Sequence, residues 1–380
     1  MGTRYDLVCA GCTPTDLIEV CESCADRADQ KSFPSRWHGE PEVLLRDREL
    51  GGTWSARACP VRPLNDDCLA PMPGHWLALT ADGFVRITGD DQWLVGPVEL
   101  PEENPVDMRD FPDRPRRSLH TSRDGRFAAV VSDYGRFATV VDLDEWVTVV
   151  DLDRDWVDNE FTRYPFAFLD GGRFVAATDW NRLDVFALPS GELLTDRETA
   201  APQRGEPEPE HYLDYFQGAL HLSPSERWLV TDGWIWHPIG APEAIDLAAW
   251  LGGDLHAAEH ARGLTPGREN VWDQPIAWVD DRTVAIQRMG ASWQRMLDGV
   301  ELYDAETGRR TGMFAGPAGP MWGHGGLLYV AAEAGFEVWD PAEGARVGFA
   351  PGFRPTAHDP ATGTFAELRN DQLRTWTTPR

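Results

Sequence analysis

The strongest constraint on the fold is a short pattern that occurs twice in the sequence. ELYDAETGRR occupies Glu301–Arg310, and EVWDPAEGAR follows 36 positions later at Glu337–Arg346. In each copy a hydrophobic and an aromatic residue precede an aspartate, and a turn with a glycine follows. Self-similarity at such a spacing is typical of repeat architectures, in which each unit is one supersecondary element. The sequence therefore predicts one structural unit used several times.

Further copies of the unit align on Asp304 and Asp340, which gives seven in all. The other anchor positions are Thr88, Asp142, Ala187, His237 and Thr377. Before each anchor stand short runs rich in Val, Phe and Trp, as in SLHTSRDGRFAAVVSDYGRFATVVDL from Ser118. Such runs, bounded by Asp-Gly or similar dipeptides, are typical of antiparallel strands joined by tight turns. We expect an all-β, seven-bladed β-propeller, with six or eight blades as the alternative counts.

A ring of blades explains why the units are repeated. One four-stranded blade has two apolar faces, and stacking blades in a ring buries each face against a neighbour. The last unit supplies three strands before the chain ends. We therefore expect an N-terminal segment such as EPEVLLRD, Glu40–Asp47, to complete that blade. The predicted domains are a short N-terminal appendage at 1–38 and the propeller at 39–380.

The spacing between units is uneven, at 36 and 37 residues near the C-terminus but 67 from His237 to Asp304. Extra length in repeat proteins falls in loops, often on the binding face. We predict insertions at about 101–117, 199–217 and 241–274. The last contains the helical pattern APEAIDLAAWLGGDLHAAEHARG.

The insertion at 199–217 contains RGEPEPEHYLDYFQG, in which an extended Pro-Glu run precedes three aromatic residues. Tyr212, Tyr215 and Phe216 are candidate partner-binding residues, because aromatic side chains are enriched at interface hot spots. The alternative is that they pack this loop against the propeller.

Over Glu40–Arg380 the chain resembles WD40-like β-propeller repeat proteins. The resemblance is carried by Trp339-Asp340, Tyr303-Asp304, the SRDG turn at Ser122–Gly125 and the LSPSE turn at Leu222–Glu226. DGRFAAVVSDYGRFATVVDL is also similar to the repeats of bacterial lactonase-like propellers. The first resemblance implies the propeller architecture, and the second implies metal ligands and bases at the mouth of a central channel.

Three histidines are candidates for such a channel site. His120 and His221 occupy equivalent positions in the first strand of their blades, and His358 lies within a residue of that position. The first strand of a blade is innermost, so these side chains are expected near the channel. The alternative is that they pack between blades.

Two C-x-x-C pairs mark the N-terminal segment. Cys9, Cys12, Cys21 and Cys24 can present four thiolates to one zinc ion, and in a reducing compartment this favours a structural zinc site over disulfides. Four thiolates leave no open coordination position, so the metal would fold the segment and would not catalyse. Reduced cysteines without metal and redox chemistry are the alternatives. Cys59 and Cys68 are predicted to be buried as small hydrophobic residues.

The long insertion also contains HAAEH, His256–His260, which matches the H-x-x-E-H pattern of inverted zinc peptidases. On a helix the two histidines would share a face, with Glu259 beside them. Those enzymes build the site into a large helical domain, whereas this segment is one insertion among strands. We therefore expect a solvated helix face here.

Charge and hydropathy restrict the partners. The chain has 62 acidic and 35 basic residues, a formal net charge of -27, which repels nucleic-acid phosphates and anionic lipids and favours basic protein partners. No apolar run approaches the roughly 18 residues of a membrane span, and the start lacks the basic and apolar regions of a signal peptide. We expect a cytoplasmic protein. Lys31 is the only lysine, a bias that suggests a bacterial genome rich in GC.

Three functions are compatible with these features. We expect a non-enzymatic scaffold or adaptor of a bacterial complex, which docks partners through the insertions and the zinc appendage. One alternative is a propeller hydrolase or lactonase with its site at the central channel. The other is a sensor that binds a small ligand or a peptide. The fold cannot separate them, because function depends on particular sites.

Overall fold

The computed structural model describes residues 43–379 except 90, 100–115, 156, 199–201, 203–206, 208, 237, 266, 291–292 and 294–295. Cys9, Cys12, Cys21 and Cys24 lie outside the described residues, so their zinc site stays a prediction. Residues Arg46–Arg380 belong to one compact unit. Its described strands form seven antiparallel sheets, which we number in chain order of their innermost strands.

Runs of β-branched and aromatic residues form the strands, and tight turns join them. Two strands, β1 (Leu44–Arg48) and β2 (Thr53–Ala58), precede the first sheet. From the centre outward, the first three sheets contain β3 (Leu69–Met72), β4 (His75–Thr80), β5 (Gly83–Thr88) and β6 (Asp91–Gly96); β7 (Arg116–Thr121), β8 (Phe127–Asp133), β9 (Phe137–Asp142) and β10 (Val147–Asp153); and β11 (Phe166–Leu169), β12 (Arg173–Asp179) and β13 (Arg182–Ala187). A short 3-10 helix, Asn159–Phe161, lies between the second and third sheets.

The other four sheets follow the same order, except that the fourth has additional strands. It contains β14 (Phe216–Leu222), β15 (Trp228–Ile235), β16 (Ile239–Gly240), β17 (Glu243–Asp246), β18 (Arg262–Gly263) and β19 (Arg268–Glu269). The remaining strands are β20 (Ile276–Trp278), β21 (Thr283–Met289), β22 (Leu297–Asp304) and β23 (Arg309–Ala315); β24 (Met321–His324), β25 (Leu327–Ala332), β26 (Gly335–Asp340) and β27 (Ala345–Pro351); and β28 (Ala357–Asp359), β29 (Thr364–Arg369) and β30 (Gln372–Thr377).

The innermost strands follow one another around a centre. The strands β28, β3, β7, β11, β14, β20 and β24 each lie beside the next. His324 and His358 close the circle between the sixth and seventh sheets, with ring centroids 5.5 Å apart. Seven apolar clusters lie between neighbouring sheets, one at each junction. The prediction of an all-β, seven-bladed propeller is confirmed.

An N-terminal strand closes the ring. β2 pairs with β30, and Trp54 lies opposite Trp376, whose indole Nε1 donates a hydrogen bond to the Gly51 carbonyl at 2.9 Å. The expectation that Glu40–Asp47 completes the last sheet is wrong. β1 instead joins the edge of the sixth sheet beside β27, where Asp47 accepts a hydrogen bond from Arg346 at 2.8 Å. The second N-terminal strand fits the last sheet because it brings Trp54 onto Trp376 and the Phe353 ring.

The repeated aspartate stabilises the end of the third strand. Asp142 and Asp304 each accept a backbone N–H of the following turn, at 3.0 Å from Asp144 and 2.8 Å from Thr307. Each also pairs with an arginine that precedes the second strand of its sheet, Arg126 or Arg282. We call this arginine-aspartate pair the clasp. Asp340 likewise accepts the Ala342 N–H of its turn, at 2.9 Å, so the hydrogen bond to the turn explains why the unit has an aspartate at this position.

The fourth sheet departs from the predicted alignment. The anchor assigned to His237 is wrong: that residue lies outside the described set, and the third strand of this sheet is β17, which ends at Asp246. There Arg227 forms the clasp, with Nη2 2.7 Å from an Asp246 oxygen. A long connection that carries β16 separates β15 from β17, so the aromatic run of β15 was mistaken for a third strand. Part of the segment 241–274 therefore belongs to the sheet.

The helical pattern in that segment forms only one short helix, α1 (Leu247–Leu251). Asp246 caps its start by accepting the Ala249 N–H at 2.8 Å. The backbone N–H groups of Gly252 and Gly253 bond back to carbonyls of the last turn, and the chain then leaves the helix. In the described part of the chain, no helix has both the length and the apolar character that crossing a membrane requires.

Both cysteines outside the N-terminal segment are buried, as predicted. Cys59 and Cys68 are free thiols and belong to the clusters that join the first sheet to the seventh and the second. Burial raises the pKa of Cys59, and it raises that of Cys68 to about 12. Both thiols are therefore protonated at neutral pH and serve as packing groups.

Candidate functional site

The connectivity places several polar and aromatic residues on one face of the propeller. Each inner strand begins on this face, and because strands alternate in direction, the connections between the second and third strands return to it. We call it the entry face. It includes the segments that lead into β3, β11 and β20 and the turns that follow β8, β12 and β15.

Arg163 bridges the channel at the entry face. Its Nε lies 3.0 Å from Asp273 Oδ1, and its Nη1 lies 3.6 Å from Asp67 Oδ2 and 3.8 Å from Asp133 Oδ2. Arg163 precedes the third sheet, whereas Asp67 precedes the first and Asp273 the fifth. The third sheet neighbours only the second and fourth in the ring, so the contacts with Asp67 and Asp273 span the channel mouth.

Hydrogen bonds from other elements fix the carboxylates around Arg163. The Tyr134 hydroxyl donates to Asp273, the Ser118 hydroxyl donates to Asp133, and the Tyr164 N–H donates to Asp133 at 3.0 Å. Tyr134 has a φ of 60°, a backbone conformation that a bulky side chain rarely adopts. Strained residues of this kind concentrate at functional sites.

Asp232 adds an unusual carboxyl group to this mouth. The residue is only 2% exposed, and its Oδ2 accepts the Gln274 N–H at 2.7 Å. Its Oδ1 has no hydrogen-bond partner among the described residues. Burial, assisted by the charge of Asp273, raises the pKa of Asp232 to about 7. The group can therefore gain or lose a proton near neutral pH.

Two of the three candidate channel histidines pack against aromatic rings, and the third is bonded through its backbone. The His120 ring lies 5.3 Å from the Phe166 ring, and the His358 ring stacks on Phe365 at 4.3 Å. The carbonyl of His221 accepts the indole N–H of Trp278 at 3.0 Å.

These histidines are neutral in the folded chain. Burial lowers the pKa of His120 and of His221 to about 4, and that of His358 to about 3. The structure brings His120 and His221 close enough to Arg163 for its charge to act on both, but it places His358 next to His324. Their role as channel ligands stays a prediction. Within the described ranges, no three His, Cys, Asp or Glu side chains are already arranged to hold one metal ion.

Aromatic rings from the third to fifth sheets form a stack on the entry face. Its members are Phe161, Trp180, Phe216, Trp234, Trp236 and Trp272. Phe216 and Trp234 lie parallel with centroids 4.1 Å apart. Trp236 contacts both at 5.8 and 5.4 Å, yet it remains 56% exposed. The aromatic stack therefore ends in a tryptophan that is held in place and open to solvent.

The structure separates the three candidate partner-binding residues. Tyr215 is buried, and its hydroxyl donates to the Ala241 carbonyl at 2.9 Å and accepts the Gly233 N–H at 2.8 Å. Phe216 is buried within the aromatic stack, while Tyr212 is partly exposed. Partner binding by these residues stays a prediction, with Tyr212 the most accessible.

The sequence-based prediction missed Trp236, although a signal was present. In WIWH the tryptophans alternate, and residues two apart on a strand share a face.

A second concave feature lies where the ring closes. A cavity of about 290 Å³ lies between the seventh sheet and the first. Ser55 and Arg57 of β2, Thr362 and Thr364 of the seventh sheet, and Trp76 of the first are among its lining residues. Its volume is near the lower limit for ligand pockets, and its wall is rich in hydroxyl groups.

The comparisons with known proteins show the fold and no more. One chain of a crystal structure of the mitotic checkpoint complex is similar with a TM-score of 0.55 and 10% sequence identity, over 92% of this chain and 100% of that one. This similarity shows that the two chains share a fold. No protein-family model matches, and no curated protein matches. Since 834 solved chains match, the fold by itself selects no function.

Proposed function

We propose that this protein is a protein-interaction scaffold of a bacterial complex, and that the entry face is one of its docking surfaces. The observation that carries the proposal is Trp236. Its ring is held on Phe216 and Trp234 yet is more than half exposed. An aromatic side chain that is already ordered loses little conformational entropy on binding, and tryptophan is the residue most enriched at hot spots.

The charges near the aromatic stack favour a basic partner segment. Trp272 of the stack precedes Asp273, which is 25% exposed beside Asp67 at 28%. Asp179 precedes Trp180, and Asp155 lies close enough for its charge to act on Asp179. A net charge of -27 would further steer a basic partner toward the protein. An arginine or lysine of the partner could then contact a tryptophan face and a carboxylate together.

The cysteine segment and the insertions would supply further docking sites. Zinc bound by Cys9, Cys12, Cys21 and Cys24 would fold the segment 1–38, and elemental analysis of protein never exposed to chelator would test for it. The similar propeller in the mitotic checkpoint complex belongs to a multiprotein assembly, which is consistent with a scaffold.

Matched tryptophan variants test the docking surface. Trp293 is 55% exposed, like Trp236, but among the described residues it has no ring contact, so it is a suitable control. Proteins that co-purify with the tagged full chain from its host would be compared for wild type, Trp236→Ala and Trp293→Ala. We expect Trp236→Ala to weaken a stoichiometric partner at least about tenfold, and raised salt to weaken it as well.

Two results would contradict this assignment. A partner kept by Trp236→Ala but lost on removal of 1–36 would place the docking site on the cysteine segment. Equal loss in both tryptophan variants would show that exposed tryptophans matter only for solubility.

A hydrolase acting at the channel mouth is the second candidate function. It is favoured by Asp232, which can titrate near pH 7 within reach of the charge of Arg163, whose charge also acts on the neutral imidazoles of His120 and His221. A carboxyl with such a pKa suits general acid-base catalysis. Turnover of lactone or ester substrates that Asp232→Asn abolishes would support this function, while equal turnover in the variant would exclude Asp232 as its base.

A further inference from the structure

Three histidines from two separate loops meet at the junction of the third and fourth sheets. His211 lies in the segment before β14, and His256 and His260 lie beyond α1. His211 Nδ1 is 3.2 Å from His260 Nε2. The rings of His211 and His256 stack with centroids 3.7 Å apart and an interplanar angle of 14°.

Local backbone structure puts the two HAAEH histidines on one side. The helix has ended at Leu251, but the His260 N–H donates to the His256 carbonyl at 3.1 Å, which forms one isolated α-turn. The solvated helix face expected at this motif is therefore a turn that meets His211. The third histidine comes from the other insertion, and sequence spacing could not reveal it.

Glu259 places a buried carboxylate in a fixed position beside the cluster. Its Oε1 accepts a hydrogen bond from Arg197 Nε at 3.0 Å, and Arg197 Nη1 lies 2.6 Å from Asp184 Oδ1. All three side chains are almost completely buried. The other oxygen, Oε2, and His256 Nδ1 lie 3.7 Å apart, and neither has a hydrogen-bond partner in the described part of the chain. Unpaired buried polar atoms are rare and call for an explanation.

The nitrogen separation matches that of two ligands on one metal ion. With metal-nitrogen bonds of about 2.0–2.1 Å, two ligands at the angles of tetrahedral or octahedral geometry lie about 3 Å apart. Imidazole nitrogens suit zinc, copper and nickel. His260 is exposed and His211 partly exposed, so an ion can reach both.

We propose that His211 and His260 form a two-histidine clamp for a divalent transition-metal ion, coordinated through His211 Nδ1 and His260 Nε2. Water completes the coordination sphere. His256 orients the His211 ring by stacking, and the buried carboxylate of Glu259 offsets part of the positive charge of the ion. Binding ties the loop before β14 to the turn after α1, on the edge of the propeller.

The test is titration of the full chain with nickel(II), in which the heat of binding and the melting temperature are measured. We expect a binding event, separate from any at the four-cysteine segment, that His211→Ala and His260→Ala each abolish and that His324→Ala, a histidine outside the cluster, leaves unchanged. The melting temperature of each variant without metal shows that it is folded. The nickel-dependent rise in melting temperature should vanish in the two clamp variants.

Cobalt(II) absorption separates this clamp from the four-cysteine segment. Thiolate ligands produce intense near-ultraviolet charge-transfer bands that imidazole ligands lack. We expect cobalt bound at the clamp to show no such bands and to disappear in His260→Ala. The proposal is overturned if both clamp variants bind nickel like wild type, or if all bound cobalt has the thiolate spectrum. In either case the 3.2 Å contact is an ordinary hydrogen bond between neutral imidazoles.

Discussion

The rim and the centre of the propeller are both held by arginine-aspartate contacts, but the two differ in kind. By rim we mean the turns on the face opposite the entry face, where the clasp recurs in the second, fourth and fifth sheets, within a single sheet each time. Arg126 of the second-sheet clasp is 39% exposed. At the centre Arg163 occurs once, is 33% exposed and joins carboxylates from the first, second and fifth sheets. The clasp shapes one turn, while Arg163 couples distant sheets across the channel.

This difference separates what repetition supplies from what it cannot supply. A repeated contact acts between residues that are close in sequence, and its contribution adds sheet by sheet. A contact that spans the channel must be unique, because seven copies would compete for one space. The stability of the centre should therefore depend on few residues, and that of the rim on many.

The largest expected effect is at the centre. Arg163→Met keeps much of the side-chain volume but leaves Asp133 and Asp273 without their cation. We expect the free energy of unfolding to fall by about 3 kcal/mol, toward the lower end of the cost of removing one partner of a buried ion pair, because Arg163 is partly exposed. Urea unfolding would measure it, with Arg62→Met as the control, since Arg62 is 84% exposed. A loss no larger than in the control would mean that water solvates these carboxylates.

The next effect is a pH dependence at Asp232. Because its folded pKa is raised to about 7, the folded state holds this proton more tightly than the unfolded state. Its contribution to stability is complete below about pH 4 and is lost as the pH rises through about 7. Between pH 5 and pH 8 we expect Asp232→Asn to gain about 2 kcal/mol relative to wild type.

Unfolding curves at both pH values would measure this difference. Burial also raises the pKa of Glu243 to about 7, so the stability of the Asp232→Asn variant would still fall in part as the pH rises. Parallel pH profiles for the two proteins would show that Asp232 is ionised throughout this range.

The smallest expected effect is on the rim. Arg126→Met removes one clasp. The Arg126 side chain is 39% exposed, and the buried Asp142 keeps its hydrogen bonds from the N–H groups of Asp144 and Glu145, so we expect roughly a quarter or less of the loss seen for Arg163→Met. Arg282→Met should behave alike, and the double variant should show the sum, since the two clasps lie in different sheets. Urea unfolding of the three variants checks this. A double variant that loses much more than the sum would show that the clasps cooperate around the ring.

The sequence was sufficient for features that depend on periodicity and local chemistry. The spacing of Asp304 and Asp340 led to seven blades, and the missing fourth strand of the last sheet predicted an N-terminal contribution. The apolar surroundings of Cys59 and Cys68 were also anticipated. Each of these follows from patterns a few residues long or from the requirement that the ring close.

Contacts between distant residues were not predictable in this way. Asp273 meets Arg163 from 110 positions away, and no local pattern links the two. The same holds for His211 and His260, 49 positions apart. In the fourth sheet a long connection shifted the third strand away from the expected anchor, because the aromatic run of β15 imitates the repeat. Trp236, which carries the proposed function, belongs to that same run.

The pairing of β2 with β30 has a consequence for how the protein is made. Most of the described chain lies between Trp54 and Trp376, so the ring cannot close until β30 has left the ribosome. Until then the apolar surfaces of the first and seventh sheets lack their partners, which is when such intermediates aggregate. A ribosome that stalls before β30 would leave an open ring with an unpaired strand edge, a substrate for chaperones or proteases.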